Sequence, residues 1–127
     1  MKINLRSHHI ALRVTDYARA RQFYTEVLEL PVVGQIPGKE IEFLGIGGTT
    51  IELMGGADPE SLAKPQAGLI HLAFEVEDVD ATYRELRDRG VTFTVEPKSV
   101  GDLRVAFFVD PDGNELELFR SPTLTWS

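Results

Sequence analysis

The 127-residue chain contains no cysteine. Disulfides, thiolate metal ligands and a cysteine nucleophile are thereby excluded, and any bound metal must be held by imidazole and carboxylate. Long apolar runs are also missing. Nothing approaches the roughly 20 residues that span a bilayer, and the opening Met1-Lys-Ile-Asn-Leu-Arg-Ser7 lacks the apolar stretch and small-residue cleavage site of a signal peptide. A cytoplasmic protein with no membrane partner is the expectation. Positive charge is scarce, with 13 Lys and Arg against 20 Asp and Glu for a net charge of -7, and no Lys/Arg cluster interrupts the field. Such a surface disfavours phosphate backbones and anionic lipids, so no nucleic-acid partner is expected, and solubility is the plainest consequence of the charge. The single tryptophan, Trp126, lies in a terminal stretch, 121–127, that suggests no role.

What is present is ordinary globular material, 43% hydrophobic and 26% charged, enough for one domain or two fused half-domains. From His9 the residues alternate: His9, Ala11 and Arg13 share one face of a strand, and Ile10, Leu12 and Val14 the other, while His8 points away from His9. Asp16 then suits a helix N-cap, followed by Ala20, Phe23, Tyr24, Val27 and Leu28 at the spacing of a single amphipathic helix that Leu30-Pro31 ends. The aromatic members of that set, with Tyr83 later, read as core. Short strands follow over 31–36, 40–45 and 49–54, parted by Pro37-Gly38 and Gly47-Gly48. After an aperiodic Gly/Pro-containing linker, 57–67, the pattern restarts. A strand over 69–76 leads to a helix capped by Asp78 with Val79, Tyr83 and Leu86 inward and Gly90 at its stop; strands over 91–95, 103–109 and 114–119 follow, the last two joined by the turn Asp110-Pro-Asp-Gly113. The expected fold is α+β: two tandem βαβββ modules, about 1–56 and 68–121, forming a curved mixed β-sheet with a central cleft, the helices covering the aliphatic faces.

The modules repeat in register. His9 and His71 are 62 residues apart, as are Asp16 and Asp78, and Glu52 in Ile51-Glu-Leu53 corresponds to Glu117 in Leu116-Glu-Leu118 at an offset of 65. A single strand histidine is ordinarily a structural residue. Two at repeat-related positions, with two glutamates also repeat-related, are what a pseudo-twofold metal site requires. Glu115 shares Glu117's face by alternation and competes for the same assignment.

The segments His9-Ile-Ala-Leu-Arg-Val, Ala20-Arg-Gln-Phe-Tyr-Thr-Glu-Val-Leu, Ile51-Glu-Leu, Gly68-Leu-Ile-His-Leu-Ala-Phe-Glu-Val and Asp110-Pro-Asp-Gly-Asn-Glu-Leu-Glu-Leu118 resemble the vicinal oxygen chelate superfamily. That family contains glyoxalase I, methylmalonyl-CoA epimerase, extradiol dioxygenases and the fosfomycin and bleomycin resistance proteins. The resemblance covers nearly the whole chain and is nearest in its ligand pattern to glyoxalase I. It implies a homodimer with one divalent metal ion per site, Zn, Ni, Co, Mn or Fe, bound by His9, Glu52, His71 and Glu117, the register selecting Glu117 over Glu115. It further implies a small-molecule substrate with vicinal oxygens, whose enediolate charge spreads onto the metal during proton transfer next to a carbonyl. Glu117 is then the catalytic base and Glu52 its counterpart.

Arg13 matches an arginine that in glyoxalase I helps hold the carboxylate end of glutathione, a role suited to a bidentate guanidinium, although a strand arginine can equally pair with Glu52 or Glu117. Gly56 stands where the family tends to place an asparagine that contacts glutathione. The leading expectation is a metal-dependent lyase or isomerase of the glyoxalase I type. The alternatives are a methylmalonyl-CoA-epimerase-like isomerase, an extradiol dioxygenase and a non-enzymatic drug-binding or resistance protein.

Overall fold

A computed structural model describes residues 7–58 and 71–124. The chain divides into two compact units, residues 1–59 and 60–127. In the first, β1 (His9–Arg13) leads to α1 (Tyr17–Gln22), a π-helical turn (Phe23–Val27), β2 (Val32–Gln35), β3 (Ile41–Gly45) and β4 (Thr50–Met54). In the second, β5 (Leu72–Glu75) leads to α2 (Val79–Asp88), β6 (Phe93–Val100), β7 (Leu103–Val109) and β8 (Glu115–Arg120). Both modules are βαβββ, and each folds into a four-stranded mixed sheet, in the orders β1-β4-β3-β2 and β5-β8-β7-β6. The chain is α+β, as its periodicities require. Apart from Ala57 and Asp58, the expected linker lies outside the described residues, as do positions 69 and 70 of the expected fifth strand.

Each sheet buries one face beneath its helix. In the first unit Val14, Ala20, Tyr24, Leu44, Ile51 and Leu53 are buried; in the second Val79, Leu86, Ala106, Phe108, Leu116 and Leu118 are. Tyr24 is core as expected, whereas Phe23 and Tyr83 are half-buried. The caps behave as their residue types dictate: Asp16 accepts from the Arg19 amide and Asp78 from the Ala81 amide, at 3.1 and 3.0 Å. Gly90, at φ 91°, stops α2 with the Val91 amide bonded back to the Leu86 carbonyl. Asp110 organises its turn by accepting from the amides of Asp112 and Asn114.

Three features depart from the local patterns. The first helix is not one regular helix: the Leu28 amide reaches the Phe23 carbonyl, and the Thr25 hydroxyl bonds the Arg21 carbonyl, so the second half winds as a π-turn before Glu29, at φ 61°, ends it ahead of Pro31. Strand β6 runs to Val100 rather than stopping at Val95. It passes through Pro97 because it is the sheet edge, and a register irregularity between Val95 and Lys98 absorbs the missing amide. The helix-covered face of the first sheet is not purely aliphatic either. Glu42, buried on that face of β3, accepts from Tyr17 Oη and Arg21 Nε, each at 2.5 Å, the two donors lying one turn apart on the helix.

Candidate metal centre

Register decides which side chains meet on the opposite faces. Parallel pairing sets His9 beside Thr50 and Ala11 beside Glu52, and antiparallel pairing sets Phe43 of β3 across from Glu52. In the second sheet Ala73 lies beside Glu117, and Phe107 of β7 lies across from it. His71 immediately precedes β5, as His9 begins β1. Both modules therefore carry the same trio of a histidine at the strand start, a glutamate on the central strand and a phenylalanine on the strand beyond.

Within each trio the side chains meet. Nε2 of His9 is 3.5 Å from Oε1 of Glu52, and Nε2 of His71 is 3.1 Å from Oε1 of Glu117. Each imidazole packs edge-on against its phenylalanine, with ring centroids 5.7 Å apart for His9 and Phe43 and 5.5 Å for His71 and Phe107. The histidine side chains are 40% and 34% exposed while the glutamates are 14% and 10%, so each imidazole lies at the surface above a largely sheltered carboxylate. Burial pushes the Glu117 carboxyl above the usual carboxylate range; His71 pulls it back and Glu115 pushes it further up.

Imidazole and carboxylate are both donor types that bind divalent ions. Two ligands each roughly 2.0–2.2 Å from one metal stand roughly 3.0–3.4 Å apart at bond angles between square and tetrahedral, which the two His–Glu separations approach. Among the described residues no three such side chains converge on one point, and the four ligands expected from the repeat stand as two pairs, one in each unit.

Other expected residues fall as follows. Arg13 is exposed at the far end of β1, paired with Met54, and roughly 13 Å along the strand from His9 at 3.3 Å per residue. Among the described residues it makes no ion pair with Glu52; its guanidinium instead lies 3.9 Å from where a side chain on Gly56 would begin. Gly56 sits at φ 90°, a conformation that glycine adopts without the strain a Cβ would bring. His8 does not point away from His9. It precedes β1, outside the alternation, and the two Nδ1 atoms meet at 2.8 Å. Glu115 places Oε1 3.8 Å from Nδ1 of His71. An open recess of about 580 Å³ beside the first trio is lined by His8, Gly34, Phe43, Gly45 and Thr50, with Val33 at its rim. Sequence reasoning missed Phe43 and Phe107. The repeat holds a signal for them, since each third strand carries phenylalanine, but β7 has the consecutive pair Phe107-Phe108 and only register shows which ring faces the histidine.

Known proteins bear on this arrangement. Residues 6–118 match the profile of the glyoxalase/bleomycin resistance protein/dioxygenase superfamily. The uncharacterised protein YaeR of Escherichia coli (strain K12) is 37% identical over 123 residues, covering 89% of this chain and 94% of its own. A protein of Vibrio cholerae named probable lactoylglutathione lyase is 33% identical over 128 residues, covering 93% and 92%. The crystal structure of a glyoxalase family protein from Enterococcus faecalis superposes with a TM-score of 0.70 at 31% identity, covering 89% of this chain and 95% of that one.

Proposed function

The chain belongs to the glyoxalase/bleomycin resistance protein/dioxygenase superfamily, and on that premise we propose that it is a divalent-metal-dependent lyase or isomerase of the glyoxalase I type. The observation that carries the reading is the pair of equivalent His–Glu contacts, 3.5 and 3.1 Å, at repeat-related positions. His9, Glu52, His71 and Glu117 hold one ion per site, drawn from Zn, Ni, Co, Mn or Fe, in a homodimer. The ion supplies Lewis-acid stabilisation of negative charge on adjacent substrate oxygens.

The proton chemistry belongs to the protein. Glu117 takes a proton from the carbon next to the carbonyl and returns it to the neighbouring carbon, and Glu52 serves the opposite side. The burial of Glu117 favours that role, because a carboxylate held above its usual range by desolvation is a stronger base than an exposed one. Phe43 and Phe107 keep water from one side of each histidine, and the recess beside His8 and Phe43 accommodates an organic substituent.

The exposed guanidinium of Arg13 binds an anionic group remote from the reacting carbons. Arg13→Ala should raise KM for an anionic substrate by about tenfold, the scale of one lost charge-assisted hydrogen bond, while metal content stays at the wild-type value. An unchanged KM would return Arg13 to a structural role. The whole assignment is tested by elemental mass spectrometry on untagged protein. About one divalent ion per site in wild type, lost in His71→Ala, supports the centre and directs assays to hemithioacetals and acyl-CoA thioesters. Failure of wild type to bind Zn, Ni, Co or Mn on soaking overturns the enzyme reading in favour of a ligand-sequestering protein.

A further inference from the structure

The second module carries a carboxylate that the reaction above leaves without a task. Glu115 opens β8 with Oε1 3.8 Å from Nδ1 of His71, whose Nε2 lies 3.1 Å from Glu117. The imidazole stands between two carboxylates, one at each nitrogen. The first module differs at this point. Its residue at the position of Glu115 is Thr50, beside His9 in the register, and Thr50 spends its hydroxyl on the His8 carbonyl at 2.8 Å. Nδ1 of His9 meets Nδ1 of His8 instead, at 2.8 Å. In both modules, then, Nε2 faces a glutamate and Nδ1 an outer neighbour, but that neighbour is an anion in one and an imidazole in the other.

The difference has a chemical consequence. A histidine that ligates through Nε2 carries its proton on Nδ1, and a carboxylate that accepts this proton fixes the tautomer, holds the ring and strengthens the donor nitrogen. An imidazole acceptor orients the ring without adding charge. At 3.8 Å the Glu115 contact is an ion-pair distance, with the carboxylate on the Nδ1 side of the ring.

We propose that Glu115 is a positioning residue that holds the Nδ1 proton of His71 and makes His71–Glu117 the tighter metal-binding pair of the two. This rests on the metal-dependent reading above. The test measures Zn²⁺ affinity of the full chain by competition with a chromogenic chelator for wild type, Glu115→Thr, Glu115→Gln and Thr50→Val. Glu115→Thr, which installs the first module's residue, should lose roughly 10–100-fold in affinity, and Glu115→Gln, an uncharged acceptor of the same shape, should lose less. Thr50→Val should bind as wild type does. The Nδ1–H resonance of His71 in Zn-loaded protein, sheltered from exchange in wild type, should vanish in Glu115→Thr, a change that altered folding stability alone would not produce. Wild-type affinity in Glu115→Thr overturns the proposal. A wild type that binds no ion removes the metal reading and this proposal together, whereas the predicted affinity series without turnover of any carbonyl substrate supports the role of Glu115 and overturns the lyase assignment alone.

Discussion

Replacing Glu117 with alanine is expected to lower metal content towards zero and to reduce turnover by at least about 10³-fold, the combined loss of a ligand and of a general base. The sheet should survive, because Glu117 faces away from the helix-covered core to which Leu116 and Leu118 belong. Full activity in this variant would remove Glu117 from the mechanism. Glu117→Gln separates the two roles from packing, since it retains an acceptor for Nε2 of His71.

Stability should move the other way. Burial raises the folded-state pKa of Glu117 above its ordinary value of 4.5. A carboxyl so shifted contributes stability below its unfolded pKa, and that contribution is lost as pH rises through the folded pKa. In metal-free protein at neutral pH the ionised side chain therefore weakens the fold, and Glu117→Gln should unfold at a higher temperature than wild type when both are kept in chelator. The gain should disappear below the unfolded pKa, where Glu117 is neutral in both states. An equal midpoint for the two proteins at neutral pH would show that His71 fully compensates the buried charge.

Glu42→Ala should have the largest effect on folding of any polar substitution considered, about 2 kcal/mol. The variant leaves Tyr17 Oη and Arg21 Nε without their shared acceptor. Hydrogen bonds to charged groups are worth about 1.5–3 kcal/mol each, and the half-exposed Arg21 recovers part of its loss by rehydration. For a chain of this size the unfolding midpoint should fall by about 6–8 °C, at roughly 3–4 °C per kcal/mol. The pH dependence follows from Arg21, whose hydrogen bond holds the Glu42 carboxyl below its ordinary 4.5. The stabilisation is present above 4.5 and lost as pH falls through the depressed value, so wild type and Glu42→Ala should converge in acid. An unchanged midpoint at neutral pH would show that the triad contributes nothing to folding.

Much of this was legible in the residues. The period-2 and period-3.6 patterns, the Asp16 and Asp78 caps and the Gly90 stop are local properties of the chain, and they define the βαβββ order of each module. The recurrence of His9 as His71 and of Glu52 as Glu117 is likewise internal to the sequence, so the residues of the candidate centre are legible in it. Alternation could not separate Glu115 from Glu117. Both lie on one face, and the difference between contact with Nδ1 and contact with Nε2 of His71 depends on how far β5 is advanced along β8.

The module plan, the candidate ligands and the exclusion of thiolate chemistry are thus written in the order of the residues. Their partners come from folding. It set Phe43 and Phe107 against the histidines, joined His8 to His9, brought Tyr17 and Arg21 onto Glu42, wound Phe23–Val27 as a π-turn and carried β6 through Pro97. The physical reason is common to most of these. Hydrophobic period and capping depend on neighbours within a few residues, whereas cross-strand register and a buried carboxylate's donors depend on residues that only folding brings together.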